Sequence, residues 1–182
     1  MKTAALLFGA SLSSPCSRAI ISGAALDGEP ALPVLDVEQL QKVAVVAELI
    51  IPETDTPGAI AAGVPAFIHR IVAEWYTPAE RETFLDGLVT LDTESRRRLG
   101  SSFLALTSAD QTAVLRTFEA HMRRGVREPG RAGPFFAKMK ELTVLGYYTS
   151  EVGSQSELVY RPVPGAYDGH AHFAENSRQW TR

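Results

Sequence analysis

Residues Ile50–Val64, IIPETDTPGAIAAGV, lie between two segments whose apolar residues recur at helical spacing. Upstream, Val37, Leu40, Val43, Ala44, Ala47 and Ile50 fall on one helical face. Downstream, Val64, Phe67, Ile68, Ile71, Val72 and Trp75 form a stripe at i, i+3, i+4, i+7, i+8 and i+11. Pro52 stops the first helix, and the acids, hydroxyls and small residues after it suit neither a helix nor a strand. The stretch is either a structural corner or a surface that faces something.

The same grammar continues outward. Asp36 and Gln39 form a capping box ahead of the first helix, and Thr77, Pro78 and Glu80 supply an N-cap, a first-turn proline and a box partner for a third. That third helix carries Phe84, Leu85 and Leu88. Ser108 and Gln111 read as another box before Val114, Leu115 and Phe118. Gly133 and Pro134 open a last helix whose apolar side holds Phe135, Phe136, Met139, Leu142 and Leu145. From Gly153 the glycines and prolines leave no helical period, only a short β-like run at Leu158–Tyr160. The fold class expected is all-α: one helical bundle of about five helices with an irregular, extended C-terminal arm. The segments are 1–33, a leader and linker; 34–152, the helical domain; and 153–182, the arm.

With 182 residues, 45% of them hydrophobic and 21% charged, the chain suits one soluble globular domain plus tails. A net charge of −3 argues against nucleic acid or an anionic membrane as partner, since both are held by clustered basic residues. The one basic run, Arg96–Arg98, has Glu94 beside it and reads as a solvated helix face. Thr3–Leu12, TAALLFGASL, has the length of a signal-peptide apolar region, with Lys2 before it and small residues and Cys16 after it. A tail that packs on a partner is the competing reading.

Catalytic signals are sparse. The single cysteine, Cys16, excludes an internal disulfide framework, a thiolate cluster for structural zinc and a covalent haem motif. Neither GxGxxG nor a P-loop occurs, so no cofactor site for a dinucleotide is expected in this chain. His69, off the apolar stripe, and His121, at a helix end, read as surface residues. His170 and His172 in GHAHF have ligand-like spacing on an extended segment, without further ligands nearby. Glu53 and Asp55 would suit acid–base work as paired carboxylates, but in a Pro/Gly turn such groups more often accept hydrogen bonds from the turn's own amides. Tyr147 and Tyr148 mark a helix end whose rings bury against neighbours or a partner.

Three blocks carry a resemblance: VAELIIPETDTPGAIAAGVPAFI at 46–68, FFAKMKELTVLGYYTSEVG at 135–153 and YRPVPGAYDGH at 160–170. Together they resemble the small, or gamma, subunit family of membrane-associated gluconate 2-dehydrogenase and related FAD-dependent sugar dehydrogenases, over about Leu35 to His170. The resemblance implies a non-catalytic chain without a cofactor of its own. It implies a large FAD-binding subunit of the glucose-methanol-choline type as partner, with a cytochrome c subunit in some complexes. It also implies a periplasmic or membrane-associated site, reached through a twin-arginine leader. Here KTAALLFGASL is similar to the part of such a leader after the arginines, and the two arginines are absent.

On this reading the corner faces the large subunit through Pro52, Thr54, Asp55, Thr56 and Pro57. Tyr147 and Tyr148 at the helix end, and Tyr160, Pro162, Pro164 and Tyr167 in the arm, are the other expected contacts. Cys16 is a candidate for an intersubunit disulfide. The alternative function, from a different class, is an independent small enzyme using Glu53, Asp55 and the GHAH tail.

Overall fold

The computed structural model describes residues 34–124, 132–160, 170 and 180–181. Six α-helices occur among them: α1 (Val37–Ile50), α2 (Val64–Glu74), α3 (Pro78–Leu99), α4 (Ser108–Arg124), α5 (Ala132–Thr149) and the short α6 (Glu151–Ser156). A 3-10 turn, Phe103–Ala105, joins α3 to α4. Strand β1 (Val159–Tyr160) pairs in parallel with β2 (Trp180–Thr181), in the register Val159 to Trp180 and Tyr160 to Thr181.

The fold is the expected all-α bundle. Both early capping boxes form: the Gln39 amide donates to Asp36 Oδ1 at 2.7 Å and the Glu80 amide to Thr77 Oγ1 at 3.3 Å, each carboxylate or carboxamide being answered in return. The third box is shifted by one residue. Thr107 caps α4, accepting from the Asp110 amide at 3.3 Å. Gln111 turns inward instead, and its Nε2 donates to the Phe103 carbonyl at 3.0 Å.

Helix α5 packs against all four other long helices, so a wide arc of its surface is buried. Phe135 meets Phe84 of α3 edge-on at 5.3 Å and Phe118 of α4 at 6.3 Å, and Met139, Thr143 and Tyr147 continue the buried side. Thr143 is tolerated because its hydroxyl donates to the Met139 carbonyl at 2.7 Å. Leu145, expected inside, is instead 48% exposed. The inward set runs through 139, 142, 143 and 146, and Leu145 lies off that set at the helix's outer side.

Two further differences have local causes. Trp75, the last member of the α2 stripe, is the C-cap residue and stands 75% exposed. The helix has ended there, because Arg81 takes the Val72 and Ala73 carbonyls at 3.1 and 2.7 Å and the chain turns into α3. The arm does not become irregular at Gly153 but carries α6, capped by Ser150, whose Oγ accepts the Gly153 amide at 3.0 Å.

One polar network crosses the core. The Lys42 ammonium of α1 is buried against Asp92 of α3, with Glu38 Oε1 at 2.9 Å, and Asp92 Oδ1 accepts the Phe103 amide at 3.0 Å. One carboxylate thereby fixes α1, α3 and the 3-10 turn together.

Candidate partner interface

The corner is built around Glu48, in the last turn of α1. Its Oε1 accepts the Glu53 amide at 3.0 Å and its Oε2 accepts the Ile60 amide at 2.8 Å, so one carboxylate staples both arms of the loop. Gly58 makes room for it, since a β-carbon there would stand 2.1 Å from Glu48 Oε1. The Ala59 amide donates to the Ile51 carbonyl at 2.9 Å and the Thr54 amide to Thr56 at 3.0 Å. Four of the loop's amides are thus satisfied locally, which fixes the shape of the corner.

Two side chains fasten the corner to the far end of the chain. The Tyr147 phenol donates to the Pro57 carbonyl at 2.8 Å, and the Thr56 hydroxyl donates to Glu157 Oε1 at 2.5 Å. Tyr147 is therefore an internal residue, 1% exposed, and burial raises its phenol above the usual range. Of the two outcomes open for its ring, it takes burial against the chain's own neighbours. Tyr148 stands beside it, edge-on at 5.4 Å, and is 40% exposed.

Pro52, Glu53, Thr54 and Asp55 are exposed, while Thr56 and Pro57 are half-buried. The Thr54 hydroxyl donates to Asp55 Oδ1 at 3.0 Å. Neither Glu53 nor Asp55 lines either of the grooves described below. His170 is an exposed turn residue. Cys16, Pro162, Pro164, Tyr167 and His172 lie outside the described residues, and Tyr160 is placed only by its backbone pairing with Thr181. Among the described residues no group of three or more His, Cys, Asp or Glu could hold a metal ion, and no helix is long and apolar enough to cross a membrane.

Beside the corner lies an apolar surface of which the sequence reading names only Tyr148. Val144, Leu145 and Tyr148 are all exposed on the outer side of α5. A groove of about 330 Å³ runs next to them, between Ala61, Ala62, Gly63 and Phe67 on one wall and Gly146, Thr149 and Ser150 on the other. Gly146 lets α2 approach, since a β-carbon there would come within 2.7 Å of the Phe67 ring. At the opposite end of α2, a second groove of about 330 Å³ is lined by Tyr76, Glu80, Phe84, Pro134, Phe135, Lys138 and Glu141. His69 of α2, expected at the surface, is half-buried; its Nδ1 is buried without a hydrogen-bond partner, and burial lowers its pKa from the usual range.

Residues 37–165 match the family model for gluconate 2-dehydrogenase subunit 3, a span that takes in every described helix. The chain belongs to the gluconate 2-dehydrogenase subunit 3 family. Comparison with curated proteins and with solved structures gives no match. Membership makes the chain a subunit of an oxidoreductase complex, so a surface for other subunits is the functional site to look for.

Proposed function

We propose that this subunit 3 protein is the non-catalytic small subunit of an FAD-dependent sugar or glycoside dehydrogenase, which it stabilises and escorts for export. The observation that carries the reading is the family match across the whole helical body. The surface supports it, since Val144, Leu145 and Tyr148, exposed on one side of α5 beside the corner, supply apolar side chains for a partner to cover. The partner is a large FAD-binding subunit of the glucose-methanol-choline type, joined in some complexes by a cytochrome c subunit. FAD belongs to that partner, and the assembled enzyme works in the periplasm or at the membrane. The corner residues Pro52, Thr54 and Asp55 and the arm residues Tyr160, Pro162, Pro164 and Tyr167 complete the interface, which covers more than the roughly 1,200 to 2,000 Å² typical of a specific complex. Cys16 bonds to the large subunit once both chains reach an oxidising compartment.

Coexpression with the large subunit tests the reading. Flavin and sugar-dependent dye reduction are expected only in the two-chain preparation, and a Cys16→Ser variant should lose a heavier band on non-reducing gels. Stoichiometric FAD on this chain alone, or full activity and yield of the large chain without it, would overturn the assignment.

A further inference from the structure

The outer side of α5 presents, in chain order, a cation, an anion, an apolar centre, a phenol and a second anion. Lys138 and Glu141 are exposed and pair with each other at 3.0 Å; Val144 and Leu145 follow, and Tyr148 is exposed beyond them. Glu151, exposed at the start of α6, closes the series beside Gly146 and Thr149. Lys138, Glu141, Leu145 and Tyr148 recur at i, i+3, i+7 and i+10, the spacing of a seam between two helices. The four other long helices take the inward side of α5, and this seam is the part they leave exposed.

The order of groups is self-complementary when one copy is reversed against another. With a two-fold axis between Val144 and Leu145, each copy's apolar pair meets the other's at the centre. Glu141 then faces Tyr148 of the copy, whose phenol is a donor for the carboxylate, and Lys138 faces Glu151 of the copy. A parallel arrangement sets Lys138 against Lys138 and Glu141 against Glu141, which like-charge repulsion disfavours. We infer that the free chain pairs with a second copy through the outer side of α5, as an antiparallel two-fold dimer. Self-pairing goes beyond the small-subunit reading, because it needs no flavoprotein. It rests on that reading in one respect: the large subunit, covering the same face, displaces the second copy. One pair of helices buries less than the roughly 1,200 to 2,000 Å² of a specific complex, so the dimer should be weak, dissociating on the order of 10 to 100 μM.

Sedimentation equilibrium of the full-length chain under reducing conditions tests the pairing. A concentration-dependent monomer–dimer equilibrium is expected. Lys138→Glu alone and Glu151→Lys alone should each weaken it about fivefold or more, since the two-fold places every pair twice. Combining them should restore it, because opposite charges then meet again across the axis. Within one chain the reversed pair is more than ten residues apart and the Lys138 bond to Glu141 stays lost, so recovery is a contact between copies. A monomer up to about 1 mM overturns the inference. So does a dimer that both single variants leave unchanged, or one that the combination fails to restore. Adding the large subunit then separates the two readings. Conversion of the dimer into a complex with one copy of each chain is expected, and a complex that retains the paired α5 helices overturns the displacement. If no flavoprotein complex forms, the small-subunit reading falls while the charge-exchange result still decides the self-pairing.

Discussion

Tyr147 donates its phenol hydrogen to the carbonyl of Pro57 at 2.8 Å, a contact between residues 90 positions apart. It ties the last turn of α5 to the corner that follows α1, so the shape of the corner depends on the C-terminal half of the bundle. Tyr147→Phe keeps the ring and deletes only the hydrogen bond. The expected cost is about 0.5 to 1.5 kcal/mol in urea unfolding, with faster amide exchange confined to the corner. An unchanged corner exchange pattern would show that Glu48 alone holds the loop.

Glu48 is the stronger fastening, because its carboxylate accepts from two amides on opposite arms of the loop. Glu48→Ala removes both bonds and should destabilise the chain by about 1.5 to 3 kcal/mol, the range for hydrogen bonds to charged groups. Gly58→Ala should do similar damage by a different route, since its β-carbon would collide with the same carboxylate. Combining the two substitutions is expected to cost less than their sum, measurable as a coupling energy in a double-mutant cycle.

The corner also shows where reading the sequence succeeds and where it stops. Pro52 and the flanking apolar periods marked a break between two helices, because proline and a 3.6-residue repeat are local facts. Glu48 was invisible as a fastening, since its partners, the amides of Glu53 and Ile60, become neighbours only when the loop closes. Trp75 fitted the α2 stripe by spacing, yet the helix ends at Glu74 and releases it to solvent. Leu145 is exposed and Thr143 buried for a related reason: composition favours leucine inside, whereas the packing of α5 against four helices fixes which angular sector is covered. The sequence names Tyr148 as a contact, and the fold adds Val144 and Leu145 beside it.

Lys42 and Asp92 form a buried pair in which neither partner tolerates losing the other. Asp92→Ala leaves an ammonium inside the bundle with only Glu38 and frees the Phe103 amide, at an expected cost of about 3 to 5 kcal/mol. Lys42→Met combined with Asp92→Leu should recover much of that loss, since both charges then vanish.

Alkaline pH acts on the same core. Burial alone would lower the Lys42 pKa, but its bonds to Asp92 and Glu38 outweigh that and raise it above 10.5. Tyr76 is pushed up to about 12, first by burial and then by Glu141 and Glu80. Both groups hold their proton more tightly folded than unfolded. The stability they supply is therefore complete below about pH 10, their ordinary range, and is lost as the pH rises through the raised folded values. Urea midpoints should stay level up to that range and fall above it. Tyr76→Phe should flatten part of the fall, and in the wild-type protein ultraviolet titration should find the Tyr76 phenol still protonated near pH 11.

The last prediction separates folding from assembly at the α5 surface. Leu145 is 48% exposed and Tyr148 40%, so Leu145→Glu should change stability by less than about 0.5 kcal/mol and Tyr148→Glu by about 0.5 to 1.5 kcal/mol, through loss of its edge-on contact with Tyr147. Each places a charge where the large subunit is proposed to bury apolar surface, which would leave that charge desolvated and unpaired on assembly. Recovery of the flavin-containing complex should therefore fall at least tenfold in the double variant while its circular dichroism matches wild type. Val89→Glu, on an exposed apolar residue of α3, is the control for a generic effect of surface charge. If Val89→Glu and the double variant impair assembly equally, the α5 face is not special and the interface lies elsewhere. If neither does, the partner docks without α5, and the corner with the arm must carry the contact.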